Sequence, residues 1–574
     1  MDVAEIEDED TLAETSSLRP AVAASAAALL AAALAACGGG GGDSSGSGTG
    51  TGGGGGSGGT TLPTEAEASR FLAQASVGAS RDQIARVQAI GYSAWLDEQM
   101  AMAASTTRWD ALVAGGYADA SFKNGEGGFD ASAWRKVLSS PDTLRQRVTL
   151  ALSELYVTAI DSLTGGGWKA FAAANYLDLL EANAFGNHRT LLQQISGNTA
   201  MGMFLTFRGS RKGDPVSGAL PDENYARELM QLFTIGLVQL NLDGTPQLTA
   251  GATTPTYALA DITGLARVFT GWDFDLAGQS GAVGTATPDF MRRPMISYAA
   301  RYETGAKTFL GTTIPAGTDP TVGLTTALDA IFAHQNVAPF TSRQLIQRLV
   351  SSNPSPAYVA RVATVFNNDG SGVKGNLKAV IKAILLDDEA RSATVAAGAS
   401  AGKLREPMLR FAGWARAWRV TSASDAWAVG NTSDAGTRLG QSPLRSGSVF
   451  NFFRPGYVPP NSAIATAGLV APEFQITNES SVVGAVNFMQ RAIQGGQGDL
   501  AADYSSLLAL ADDAVALIAE INLVLAANQL SATTTATIAN AVATMANGTD
   551  ATRLKRIYAS LTLAVASPDF VVLK

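Results

Sequence analysis

The residues best suited to chemistry in this chain crowd into one stretch, Pro221-Asp222-Glu223-Asn224-Tyr225-Ala226-Arg227-Glu228-Leu229-Met230-Gln231-Leu232-Phe233-Thr234-Ile235-Gly236-Leu237. Glu223 or Glu228 could act as a general base, Arg227 as an anion clamp and Asn224 as a hydrogen-bonding positioner. At about 100° per residue, Glu223, Asn224, Arg227, Glu228, Gln231 and Thr234 share an arc of about 140°. Tyr225, Ala226, Leu229, Met230, Leu232, Phe233 and Leu237 fill the opposite arc. An amphipathic helix over 222–240 is therefore expected. Glu223 precedes Arg227 by four residues, the favourable order for a helical ion pair, worth about 0.2–0.5 kcal/mol when exposed. The pattern leaves two readings of the polar arc open, a solvated face or the lining of a pocket.

Other reactive patterns are thin. The body of the chain has no Gly-x-Ser-x-Gly, no His-Glu-x-x-His and no phosphate-binding Gly-x-x-x-x-Gly-Lys. Ser400-Ala401-Gly402-Lys403 fits Ser-x-x-Lys, a pattern loose enough to arise by chance. Asn367-Asn368-Asp369-Gly370 lacks the twelve-residue ligand spacing of a calcium loop and reads as a helix-ending turn. Only two histidines occur, His188 and His334, and neither has a second ligand nearby in sequence. No metal site is expected, although carboxylates are able to hold Ca²⁺ or Mg²⁺.

The elements that must position these groups are mainly helices. Apolar residues recur at three-and-four spacing from Thr64 onward. Helices are expected at 81–102, 144–160, 168–184, 188–206, 222–240, 259–271, 322–334, 341–351 and 356–367. Leu377, Val380, Ile381, Ile384 and Leu385 form a further stripe, and 403–418 reads as another helix. Four more follow near 473–493, 505–527, 531–546 and 550–566. Residues 275–320 lose the periodicity and read as loops with a short hairpin. Residues 437–478, rich in Gly, Pro, Asn and aromatics, read as a long ordered loop. The expected fold is a mainly α, multi-helix body over 62–574, large enough for two lobes.

Composition narrows the partners. The chain has 574 residues, 46% hydrophobic and 16% charged, with a net charge of −9. Seven acids and one base lie in the first 20 residues; the remainder holds 40 basic and 43 acidic residues, a net of −3. So neutral a body has no electrostatic footprint for nucleic acid. The single cysteine, Cys37, excludes an intramolecular disulfide. It follows an uninterrupted run of small and apolar side chains over 21–36, the length of a signal-peptide core and too short for an ordinary membrane span. Leu34-Ala35-Ala36-Cys37-Gly38 resembles a lipoprotein signal in which the cysteine is lipidated, although an acidic leader stands where a basic one is usual. Gly38, with no Asp after the cysteine, is the pattern of lipoproteins passed to an outer membrane. Residues 1–36 are thus expected to be a signal peptide and Cys37 the membrane anchor in a bacterial cell envelope. Residues 38–61 hold 15 of the 60 glycines and form an expected tether spanning roughly 25–30 Å.

The central stretch resembles the signature of the bacterial domain-of-unknown-function 1800 family. Other blocks agree in order: Arg70-Phe71-Leu72-Ala73-Gln74-Ala75, Leu144-Arg145-Gln146-Arg147-Val148, Ala184-Phe185-Gly186-Asn187, the run Asp261 to Trp272, Lys307-Thr308-Phe309-Leu310-Gly311 and Lys403-Leu404-Arg405-Glu406-Pro407. The resemblance covers roughly 66–570. It implies a secreted or surface-anchored helical protein, encoded beside a second family, numbered 1501, that resembles sulfatases and phosphatases. Two blocks depart from the family pattern. Tyr302-Glu303 stands where many members carry His-Asp or His-Glu. Leu152-Ser153-Glu154-Leu155-Tyr156 stands where many carry Trp-x-x-His-Phe. Chemistry resting on those histidines would be lost here.

Three functions follow as expectations. The first is a binding or accessory lipoprotein presenting a cleft near Asn224, Arg227 and Glu228 to a sulfatase-like partner or an extracellular glycan. The second is an extracytoplasmic hydrolase with Glu223 or Glu228 as base and Arg227, Arg267 or Arg405 binding an anion. The third is a structural envelope protein. No cofactor is indicated.

Overall fold

Side chains that accept from free backbone N–H groups set most of the helix starts. In the computed structural model, which describes residues 62–279, 283 and 286–574, Thr64 and Glu67 form a capping box that opens the helix Glu65–Ala75. Ser80 accepts from Gln83 N to open Arg81–Ala101. Ser355 accepts from Tyr358 N at 3.1 Å, with Pro356 in the first turn, to open Pro356–Asn367. Asn376 caps Leu377–Leu386, whose buried face is the expected Leu377, Val380, Ile381, Ile384 and Leu385 stripe. The expected turn after Asn367 is closed by its own side chains, with Asn368 Oδ1 accepting from Gly370 N and Gly372 N, both at 2.9 Å. The signal peptide, Cys37 and the tether lie outside the described residues.

Nine elements carry the candidate residues and their neighbours: α1 (Thr143–Leu155), α2 (Asn224–Glu228), α3 (Leu259–Ala266), α4 (Val337–Leu349), α5 (Pro407–Ala417), β1 (Lys307–Phe309), β2 (Thr312–Ile314), β3 (Lys403–Leu404) and β4 (Val572–Leu573). Several expected helices are shorter or divided. α1 stops at Leu155 rather than 160. The 188–206 segment divides at Gly197, after which Asn198 caps a new helix by accepting from Ala200 N at 2.8 Å. The 403–418 segment begins as β3, paired antiparallel with β4, and becomes helical only at Pro407. The 505–527 segment is two helices, Ser505–Leu508 and Ala514–Val524.

The sheets among the described residues are all two-stranded. The expected hairpin is β1 and β2, in register Lys307 with Ile314 and Phe309 with Thr312. The described residues form one compact unit, with a core continuous from Ala68 to Phe570. Trp95, Trp134, Trp414, Tyr156 and Tyr225 are fully buried in it. The loop after Thr421–Ser422 runs without a regular element to Ala463–Thr466, and side chains fix it. Arg445 reaches Glu126 at 2.6 Å, Asp130 at 2.9 Å and Asp161 at 3.0 Å. No described helix is long and apolar enough to cross a membrane.

Gly264 sits where α3 lies against β1, and a Cβ there would meet Thr308 O at 1.8 Å. That atom is backbone, so the helix and strand would have to separate. Gly264→Ala is expected to lower unfolding stability by roughly 3 kcal/mol, read by chemical denaturation.

Candidate functional site

The central stretch does not form one helix. α2 spans only Asn224–Glu228 and passes into a π-helical turn, Leu229–Thr234. Thr234 turns its hydroxyl back to Leu229 O, Ile235 N and Gly236 N both donate to Met230 O, and Gly236 at φ 71° ends the turn. The wider π turn breaks the 100° arithmetic, so the polar arc is dispersed. Glu223 Oε2 meets Arg227 Nη2 at 3.3 Å, and Glu223 Oε1 accepts from Thr263 Oγ1 at 2.8 Å. With Glu223 28% and Arg227 42% exposed, the pair is a surface contact of about 0–1 kcal/mol. Asn224 donates to Thr206 Oγ1 at 3.4 Å. Glu228 is buried, its Oε2 has no partner among the described residues, and burial raises its pKa against the pull of Arg227. Thr234 is wholly buried.

The remaining predicted arginines have their own partners. Arg267 faces Glu303 at 3.5 Å. Arg405 spreads its guanidinium over Leu525 O at 3.2 Å, Ala526 O at 3.3 Å and Gln529 Oε1 at 3.3 Å, above the Phe570 ring. Burial pushes its pKa down to about 10. It ties C-terminal helices to β3. The structure thus joins Glu223 to Arg227 and gives Arg267 and Arg405 separate settings. His188 is buried, kept neutral by burial, and bonded at 2.6 Å to Tyr156 OH. Among the described residues no three His, Cys, Asp or Glu side chains gather as metal ligands would.

The densest charged constellation is interior, and residues from opposite halves of the chain meet in it. α1 brings Arg147 and Glu154, seven residues apart and so on one face. α4 brings Arg348, β3 brings Lys403, the N-cap of α5 is Glu406, and the turn Pro472–Ile476 brings Glu473. Lys403, 1% exposed, pairs with Glu473 at 3.0 Å and Glu406 at 3.3 Å and donates to Arg348 O at 2.7 Å. Gln441 donates to Glu406 Oε2 at 2.8 Å. Arg147 also donates to Arg348 O. Arg348 Nε lies 3.7 Å from Glu154 Oε2, and its Nη2 donates to Glu154 O at 2.9 Å. Burial, then the adjacent Glu406 charge, raises the Glu154 pKa well above the ordinary value. Burial raises Glu406 too, but Lys403, Arg147 and Gln441 together outweigh it and hold that carboxylate low. The network therefore pushes the two acids apart, Glu154 upward and Glu406 downward.

Glu154 and Arg348 also line a cavity of about 710 Å³. Its other walls are the end of the π turn (Gln231, Leu232, Gly236), the outer side of α4 (Phe340, Arg343, Gln344) and the long loop (Phe450, Arg454, Tyr457). Gln347 fastens that loop by donating to Pro455 O at 3.2 Å, and Asn353 exchanges two 2.9 Å bonds with Val470. Of the central stretch, Gln231 and its successors line the cavity, whereas Glu223, Asn224, Arg227 and Glu228 do not. Glu154 carried a signal, its position in a block departing from the family pattern. Arg343, Arg348 and Arg454 carried none, because they converge only in three dimensions.

The sequence profile described as "Protein of unknown function (DUF1800)" matches residues 70–572. No curated protein and no solved structure matches the chain.

Removing one partner of a buried charge network strands the others. Lys403→Met is expected to cost about 3–5 kcal/mol. Glu154→Gln should be mild and should change the pH profile. Because the folded-state pKa of Glu154 is raised, its contribution is fully present at low pH and is lost as pH rises from the ordinary carboxyl range through the raised value. Denaturation across that range should show a shallower alkaline decline in the Gln variant.

Proposed function

The chain belongs to the DUF1800 family, and we propose that it is a binding protein that holds a saccharide segment of an extracellular polymer in the 710 Å³ cavity. The carrying observation is the lining, which brings the aromatic residues Phe340, Phe450 and Tyr457 together with the amide side chains Gln231 and Gln344. Sugar rings present apolar C–H faces to aromatics and hydroxyls to amides, and the volume falls in the range of ligand clefts. The Cys37 lipidation signal and the Gly-rich 38–61 tether support a place in the cell envelope, where such polymers are met. An accessory role beside a sulfatase-like protein of the 1501 family rests on the family resemblance alone.

One observation favours a second, hydrolytic reading: Glu154, an acid whose pKa burial raises, is among the residues that line the cavity. Glu223, by contrast, is committed to Thr263 and Arg227. Release of shortened polymer by the wild type but not by Glu154→Gln would decide for that reading.

The test of binding is calorimetry with envelope polysaccharide. Tyr457→Ala is expected to weaken binding roughly tenfold, and Arg227→Ala to leave it unchanged. The opposite pattern would return the site to the exposed face of α2.

A further inference from the structure

Cations outnumber acids in the lining of the cavity. Arg343, Arg348 and Arg454 line it, and the only acid in the lining is Glu154. Arg343 and Arg454 have no carboxylate within ion-pair distance among the described residues, although the body as a whole carries a slight acidic excess. Arg454 is held in place: its guanidinium lies 4.3 Å from the centre of the Phe450 ring, and its backbone N donates to Gln475 Oε1 at 2.9 Å. Arg343 stands on α4, its side chain running past Gly244. Arg348 sits deepest, its Nη groups fixed by Gln344 and by Glu154 O.

We propose that the ligand is an acidic saccharide, whose carboxylate or sulfate groups are taken by Arg343 and Arg454 while its rings lie against Phe450 and Tyr457. Guanidinium forks match the paired oxygens of either anion, and an arginine already stacked on an aromatic ring loses little freedom on binding. Glu154 lies 3.7 Å from Arg348, which leaves Arg343 and Arg454 as the cations of the lining with no acid beside them among the described residues. The proposal rests on the cavity being the binding site.

The experiment titrates the full chain with a polyuronate oligomer, a sulfated oligosaccharide, a neutral glucan oligomer of equal length and oligoglutamate, at low and high salt. One or both acidic saccharides should bind, with affinity falling as salt rises; which one binds identifies the anion. The neutral oligomer should bind at least roughly tenfold more weakly. The double variant Arg343→Gln, Arg454→Gln should lose roughly tenfold or more for the acidic ligand alone. Equal binding of the neutral oligomer, unaffected by salt and by the double variant, would overturn the acidic assignment while leaving the cavity reading intact if Tyr457→Ala still weakens it. Tighter binding of oligoglutamate than of any saccharide would overturn the saccharide assignment. Indifference of every ligand to Tyr457→Ala would overturn the cavity reading itself.

Discussion

Lys403 is the point on which the arrangement of this fold depends. Its ammonium is buried between Glu406 and Glu473 and donates to the carbonyl of Arg348. Those three contacts join the start of α5, the far end of the long loop and the C-terminal end of α4. Desolvating such a group costs several kcal/mol, recovered only while every partner stays in place. The network therefore acts more as a geometric specification than as a source of stability. Two of its members, Glu154 and Arg348, also line the cavity.

The same specification explains why a loop without regular structure can form a wall of the cavity. Its first part is pinned by Arg445 to three acids, its middle by Gln347 at Pro455, and its end by Asn353 and Glu473. Between those ties Phe450, Arg454 and Tyr457 are presented to α4 across the cavity. A wall held in this way loses little conformational freedom when a ligand arrives. The exposed Glu223–Arg227 pair has no comparable support, and its residues are satisfied by one another and by Thr263.

Much of the fold was legible in the sequence because its signals are local. Ser355-Pro356 announces a helix start, and the stripe from Leu377 to Leu385 reads correctly at a 3.6-residue period. The failures are long-range or aperiodic. β3 pairs with residues at the other end of the chain, so nothing near Lys403 announces a strand. The π turn at Leu229–Thr234 invalidates a wheel drawn at constant angle, which is why Thr234, assigned to the polar arc, is buried and Gln231 faces the cavity. The proposed site was legible only as a neighbourhood. The residues proposed for it come from α1, α4 and a loop far along the chain, and only folding brings them together.

The claim that the cavity, rather than the polar face of α2, is where the protein works is tested most directly by hydrogen exchange on the full chain with and without envelope polysaccharide. Protection is expected in 231–238, 340–348 and 449–458, with 223–228 and 259–267 unchanged. Protection confined to 223–228 and 259–267 would contradict that claim and move the site to Glu223 and Arg227.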